Sequence, residues 1–382
     1  MSAKRCEWIY LLASNATKEY ILDALETLAL PRGSIQHFRY QSKYVDPELV
    51  KRLPVRSERR GSDVLGSQVL ACYLYQERLT VSGEQWQWIA IYPLRRGVLV
   101  DAYKTGTKPT DVAHFYFEVR DYYDYKTSFE ILQSAVKECV GKECLEKRRY
   151  ASLGEAFRIT TADSAEDESA FHSFTEAMDP QHLRTPGPDE QRQYYPAFCF
   201  IRGLRSIENS KLPLEPSYHE ASHKSFYELK EGSAYTFELS YYFPRTPPDP
   251  TSEISLRYDT KLFTSPPYRP VRVASRYDEE AWLIIPRTVQ RESWSTLELQ
   301  TNIKAPSNLP ADILNLERSF PLRIKSRRRW KLIVFDILGD LGLAIGTVSL
   351  ALSSQITYWV PLTIAGYALW ALLKFASRVL KV

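Results

Sequence analysis

Residues His219 to His223 spell the pattern HExxH. On a helix, the two histidines of this pattern face one side and bind zinc, and the glutamate between them acts as a base. The flanking sequence argues against a helix, because Pro213 and Pro216 precede the motif and a strand-like segment follows it. No histidine follows His223 to serve as a third ligand. We therefore expect a polar loop and no bound metal or cofactor, with a zinc hydrolase using His219, Glu220 and His223 as an alternative.

A basic loop between residues 51 and 61 is the second group of side chains that could do chemistry. Its arginines are Arg52, Arg56, Arg59 and Arg60. Guanidinium groups in a cluster could bind the phosphates of a nucleotide, a nucleic acid or a lipid headgroup. A solvated surface loop is the favoured interpretation, and the net charge of +4 is too small to indicate a dedicated nucleic-acid binder. Contact with nucleic acid stays an alternative.

Several enzyme signatures are absent from the sequence. It contains no GxxxxGK[ST] loop, no GxGxxG after a strand and no GxSxG elbow. Kinases, P-loop NTPases and dinucleotide enzymes of the usual type are therefore disfavoured, and we expect no enzymatic activity. The five cysteines are scattered and form no CxxC pair, which is typical of free thiols in a reducing compartment.

Two carboxylates, Asp336 and Asp340, lie within an apolar stretch near the end of the chain. They are four residues apart, so a helix places them on one face. Lys374, in a second apolar stretch, is level with Asp336 when residues are counted outward from the turn near Gln355. We expect an Asp336–Lys374 pair that closes a helical hairpin. For Asp340 the sequence leaves open whether it faces a polar lumen formed by several hairpins.

Three glycines, Gly339, Gly342 and Gly346, lie within the same apolar stretch. Gly342 and Gly346 form a small-xxx-small motif, which lets two helix backbones approach closely. The motif suits either packing of the two helices within one hairpin or self-association of several chains. The sequence does not decide between these two uses.

The two apolar stretches, 332–352 and 356–375, are each about the length of helix that crosses a bilayer. Basic residues precede the first stretch and follow the second, and no charged residue lies in the linker between them. The positive-inside rule then predicts a transmembrane hairpin over 332–376 in the inner membrane, with both termini in the cytoplasm.

The rest of the chain, with 13% aromatic residues and few glycines, favours β-rich structure. We predict an α+β protein with an N-terminal α+β sheet domain over 1–158, including helices over 17–30 and 128–147. An acidic and proline-rich linker or insertion follows over 159–196, with a short helix at 168–178. Alternating apolar residues predict an all-β, sandwich-like domain over 197–303. Residues 304–331 are predicted to form a basic juxtamembrane stalk.

These elements together predict a membrane-tethered cytoplasmic sensor or effector. An unknown activating protein or small ligand would trigger homo-oligomerisation of the hairpins and perturb the lipid bilayer. Bacterial immune, antiphage effectors are analogous in architecture. The alternatives are a constitutive membrane-anchored scaffold or interaction protein and the zinc hydrolase described above.

Overall fold

The structure is a computed structural model. It describes residues 8–56, 63–123, 132–137, 150–154, 167–185, 192–208, 213–244, 247–264, 269–287, 292–310, 313–314, 318–328, 330–351 and 359–379. Strands make up 49% of the residues that the structure describes, so the fold is mostly β and the predicted α+β class is wrong. One reason lies in the segment predicted as a helix over 128–147. Its described residues, Leu132–Lys137, instead pair with a long strand, because tertiary pairing outweighs local periodicity.

The N-terminal part is a seven-stranded sheet. Its strands are β1 (Trp8–Ser14), β2 (Ile35–Gln41), β3 (Gln68–Val81), β4 (Glu84–Lys104), β5 (Val112–Tyr122), β6 (Leu132–Lys137) and β7 (Ala151–Gly154). The order is β2-β5-β4-β3-β1-β7, and β6 pairs with β4 outside this order. The β1–β3 pair is parallel, and the other pairs are antiparallel. Alternate residues of β5 are buried, which gives the sheet one core-facing side.

Helix α1 (Lys18–Ala29) covers this sheet, as its helical spacing predicts. Ile21, Leu25 and Leu28 are buried on one face of the helix. The buried side chain of Arg95 holds the end of the helix in place. Its guanidinium donates to the carbonyl oxygen of Leu30 at 3.1 Å and lies 3.7 Å from the ring centroid of Tyr122. A cation at a helix C-terminus complements the negative end of the helix dipole, so Arg95 joins α1 to β4.

Helices α2 (Pro47–Arg52) and α3 (Asp167–Ala177) complete this part of the molecule. Helix α3 lies in the segment predicted as a linker or insertion, at the position of the short helix expected there. Its side chains Phe171 and Phe174 are buried in the core of the first sheet. The described portion of this segment is therefore packed against the sheet.

The second part is built from two facing sheets with a shared core. Its strands are β10 (Phe198–Ser206), β11 (Ser217–His219), β12 (Lys224–Lys230), β13 (Tyr235–Tyr242), β14 (Glu253–Arg257), β15 (Val271–Arg272), β16 (Tyr277–Ile284), β17 (Glu292–Asn302) and β19 (Arg318–Arg327). One sheet has the order β10-β13-β16 and the other β11-β12-β19-β17-β14-β15. This arrangement is compatible with the predicted β-sandwich. A separate small sheet contains β8 (Arg184–Thr185), β9 (Arg192–Tyr194) and β18 (Ile313–Leu314).

Strand β19 occupies the middle of the six-stranded sheet, within the residues expected to form a basic stalk. It pairs in parallel with β12 and antiparallel with β17. Leu322 and Ile324 point into the core, whereas Arg323 and Lys325 lie on the opposite face. The basic residues Arg323, Lys325 and Arg327 therefore belong to the solvent side of a sheet.

The C-terminal segment contains helices α4 (Trp330–Ala351) and α5 (Trp359–Val379), which pack side by side. The prediction that 332–376 crosses a membrane twice is wrong, and so is the assignment to the inner membrane. Within the described residues, neither helix is long and apolar enough to span a bilayer. The apolar runs are interrupted by carboxylates, by Thr347 and Thr363 and by Lys374, and a charge at bilayer depth costs about 2.5–3.5 kcal/mol.

Candidate functional site

Glycines set the distance between α4 and α5. A Cβ placed on Gly366 would lie 2.6 Å from both the carbonyl oxygen of Gly342 and the amide nitrogen of Gly346. A Cβ placed on Gly342 would lie 3.0 Å from the carbonyl oxygen of Gly366. The backbones are thus in direct contact, as the small-xxx-small spacing permits. Of the two uses that the sequence leaves open for Gly342 and Gly346, the structure has packing within one hairpin, with Gly339 on the same face.

An ion pair joins the same two helices. The Nζ atom of Lys374 lies 3.2 Å from Oδ1 of Asp340, and two thirds of the Asp340 side chain is exposed. An ion pair this exposed contributes little to stability, so the glycine contacts carry the packing. The side chain of Asp336 lies outside the described residues, and its pairing with Lys374 stays a prediction.

Helix α4 exposes a regular row of apolar side chains beside the hairpin interface. The row, named here the α4 seam, consists of Val334, Leu338, Leu341, Ile345 and Val348. Its members follow one another by four, three, four and three residues, which is the heptad spacing of helices that pack against other helices. Leu341 and Val348 are each 54% exposed. The seam therefore has the geometry of a helix-packing surface.

The rest of the hairpin is equally apolar on its outside. Fourteen of the twenty-one exposed large apolar side chains among the described residues lie on α4 and α5. Ile364 and Leu372 are more than 60% exposed, and no Asp, Glu, Lys or Arg occurs between Asp340 and Lys374. A contiguous apolar surface of this kind marks an interaction site rather than an ordinary protein surface.

The HExxH residues do not form a helix. Strand β11 ends at His219, the next three residues make one short 3₁₀ turn, and His223 has a φ of +50°, in the left-handed region. His219 accordingly bonds through Nδ1 to the Oγ of Ser222 at 2.9 Å, whereas Nδ1 of His223 lies 3.1 Å from Oδ2 of Asp101. The two imidazoles thus have different partners. No group of three or more His, Cys, Asp or Glu side chains suited to a metal occurs within the residues that the structure describes.

His223 belongs instead to a group of stacked rings that joins the two parts of the molecule. This histidine–tyrosine cluster consists of His37 on β2, Tyr103 on β4, His114 and Tyr116 on β5, and His223. Nε2 of His37 lies 3.0 Å from Nδ1 of His114, and the ring of Tyr116 stacks between His37 at 4.2 Å and His223 at 4.6 Å. The cluster fixes the loop after β11 against the first sheet.

Burial favours the neutral form of two histidines of this cluster, His37 and His114. Burial, with the nearby His114 and Arg39, lowers the pKa of His37 from 6.5 to about 4. Burial also lowers the pKa of His114, with a further contribution from Arg56. A neutral imidazole has one donor and one acceptor nitrogen, so the His37–His114 bond needs at least one of them unprotonated. The His37–His114 hydrogen bond is therefore present at neutral pH and weakens in acid.

The basic loop divides between two environments. Arg52 pairs with Asp63, with 3.0 Å between Nε and Oδ2. Arg56 lies over the ring of Tyr103, 5.7 Å from its centroid, and so borders the histidine–tyrosine cluster. Arg59 and Arg60 lie outside the described residues. In the described part of the loop, Arg52 and Arg56 thus have partners within the protein, and a role of the loop in binding phosphate stays a prediction.

No local pattern in the sequence predicts the histidine–tyrosine cluster. His37 and His114 are isolated along the chain, and only the register of β2 against β5 brings them together. A scan against protein-family models, a search of curated proteins and a search of solved structures each find no match.

Proposed function

We propose that this protein is a non-enzymatic interaction protein whose chains associate with one another through the α4–α5 hairpin. The heptad spacing of the exposed α4 seam is the observation that carries the proposal. Recognition of a partner or small ligand by the β-rich body would control this assembly. A zinc hydrolase is disfavoured, because His219 and His223 have separate partners and do not converge on one site.

A second copy is the occupant that fits the hairpin best. An identical hairpin matches its length and its lack of charge, and two such hairpins close into a four-helix bundle that buries both seams. The five seam residues and the other nine exposed apolar side chains of the hairpin, each between 36 and 68% exposed, supply the apolar surface for such a bundle. A stable interface of standard size takes roughly 800 Å² from each partner.

Substituting Leu341 with glutamate tests this proposal. Leu341 is at the middle of the α4 seam, and in a symmetric dimer the substitution buries two carboxylates near each other. We expect the dissociation constant of the dimer to rise at least about 100-fold, since each leucine loses the burial of its exposed half, about 1 kcal/mol, and burying an unpaired carboxylate costs several kcal/mol more. Size-exclusion chromatography with light scattering over a concentration series measures the mass of the full chain.

The matched control is Thr347→Glu. Thr347 is exposed on α4 but lies seven residues after Asp340, on the polar side of the helix rather than in the seam. This variant should associate like the wild type. A wild-type chain that is monomeric at every concentration would contradict the proposal, as would one that stays monomeric while it binds lipid vesicles.

A further inference from the structure

The outer face of the six-stranded sheet presents an exposed tryptophan. Trp294 lies in the regular strand β17, and 47% of its surface is exposed. The rings of His219 and Phe226 meet it edge-on, with centroids at 5.9 and 5.1 Å. These two rings brace the indole and leave part of its surface open to solvent. An exposed aromatic ring held in this way is suited to stacking.

Cationic side chains border this ring on β19. Arg323, Lys325 and Arg327 take alternate positions and share the outer face with Trp294. The register places Lys325 directly opposite Trp294, and its Nζ lies 5.6 Å from the ring centroid. Arg323 is the diagonal neighbour of Trp294, at a spacing of roughly 7–8 Å that long side chains can bridge.

The three cations differ in their own partners. Lys325 pairs with Glu292 at 3.2 Å, and Arg327 pairs with Glu228 at 2.9 Å. Arg323 makes no ion pair or side-chain hydrogen bond with any residue that the structure describes. Its five donors are therefore available to an anion beside the exposed indole.

We propose that this surface, formed by Trp294, Arg323 and Lys325 and braced by His219 and Phe226, binds single-stranded nucleic acid. A base would stack on Trp294, and the adjoining phosphates would contact Arg323 and Lys325. The positive charge beside the ring disfavours a cationic ligand. The open, flat surface of a sheet suits an extended strand better than a small molecule, which requires an enclosing pocket. The site is independent of the hairpin and of its proposed self-association.

Fluorescence anisotropy with labelled oligothymidine and oligouridine tests the proposal on the full chain. We expect Trp294→Ala to weaken binding about tenfold or more, the loss typical of one stacked base, and Trp294→Phe to retain most of the affinity. Arg323→Ala should weaken binding and lower the slope of log affinity against log salt by about 0.7, as loss of one phosphate contact does on a single strand. The two oligomers distinguish DNA from RNA as the ligand.

Lys18→Ala is the matched control, because Lys18 is an exposed cation at the start of α1, in the first part of the molecule. It should leave the affinity unchanged. No binding of either oligomer at low salt would overturn the proposal. Equal affinity of wild type and Trp294→Ala would do the same, as would binding of a duplex of the same length as tightly as the single strand. The Leu341→Glu variant should bind like the wild type, which separates this test from that of self-association.

Discussion

Substitution of Gly366 with valine is expected to force α4 and α5 apart. The new Cβ would lie 2.6–2.8 Å from three backbone atoms of Gly342 and Gly346, and backbone atoms in a helix cannot move aside as a flexible side chain can. Overpacking of a well-packed contact typically costs about 1–3 kcal/mol, and more where the neighbours are rigid, so we expect at least about 3 kcal/mol here. The loss falls on the hairpin, because Gly366 touches only α4.

Amide hydrogen exchange measures this loss one helix at a time. In Gly366→Val, protection of α4 and α5 should fall about 100-fold, which corresponds to about 3 kcal/mol, while the strands of the body keep their protection. Ala368→Val is the control, since Ala368 lies on the exposed side of the same helix. Protection of the hairpin that is unchanged in Gly366→Val would mean that the glycine contact does not hold the two helices together.

The same glycines show how far sequence reasoning extends in the hairpin. The spacing of Gly342 and Gly346 predicts a close helix contact, and a close contact is present. The sequence cannot say which helix is the partner, because a facing surface from the same chain or from another chain has the same local pattern. In the structure the partner is α5 of the same chain, because Gly366 lies against Gly342 and Gly346.

Strand β19 shows a different limit. Leu322, Ile324 and Ser326 alternate with Arg323, Lys325 and Arg327, so a period of two is present in the sequence. A long apolar stretch follows these basic residues, and this favours the competing interpretation that they flank a membrane helix. The segment lies in the centre of the sheet because β12 and β17, from distant parts of the chain, provide its hydrogen-bonding partners. Long-range pairing of this kind leaves little local signal.

Local sequence patterns predict an element correctly where the residues that determine it are neighbours in the chain. Helix α1 has an apolar stripe and ends just before Pro31, and the structure places it at Lys18–Ala29. The histidine–tyrosine cluster has no such signal, since its five rings come from β2, β4, β5 and the loop after β11. The chemistry of the cluster depends on burial, and burial depends on the packing of the whole fold. Titration of the histidines in this cluster should therefore change the free energy of unfolding.

The free energy of unfolding of His37→Gln, relative to the wild type, is expected to increase in acid. The pKa of His37 is lowered to about 4 in the folded protein, from 6.5 in the unfolded chain. The unfolded chain thus binds a proton more tightly over this interval. The contribution of His37 to stability is fully present above about pH 6.5 and is lost as pH falls towards 4. With allowance for the partial exposure of the ring, the loss is about 2 kcal/mol.

A comparison between variants is needed, because Asp23 on α1 makes the free energy of unfolding change with pH in the opposite direction. Burial raises the pKa of Asp23 from 3.8 to about 7, with a contribution from Glu26, so its ionisation destabilises the folded state as pH rises through the same interval. The two effects oppose each other in the wild-type curve, and a flat curve would not reveal either. Asp23→Asn should therefore gain stability relative to the wild type as pH rises from about 4 to 7, the reverse of His37→Gln.

Urea unfolding at neutral pH and at about pH 4.5 measures the effect of His37. The glutamine side chain can donate to or accept from Nδ1 of His114 but does not titrate, so the variant is able to keep a hydrogen bond and loses the proton linkage. His219→Gln is the control, since His219 is an exposed histidine outside the cluster. If the difference between His37→Gln and the wild type is the same at both pH values, His37 is not held neutral by the fold. If His219→Gln shifts as much as His37→Gln, the linkage does not belong to the cluster. A shift confined to His37→Gln would assign the proton linkage to the cluster, in which Tyr116 stacks on both His37 and His223.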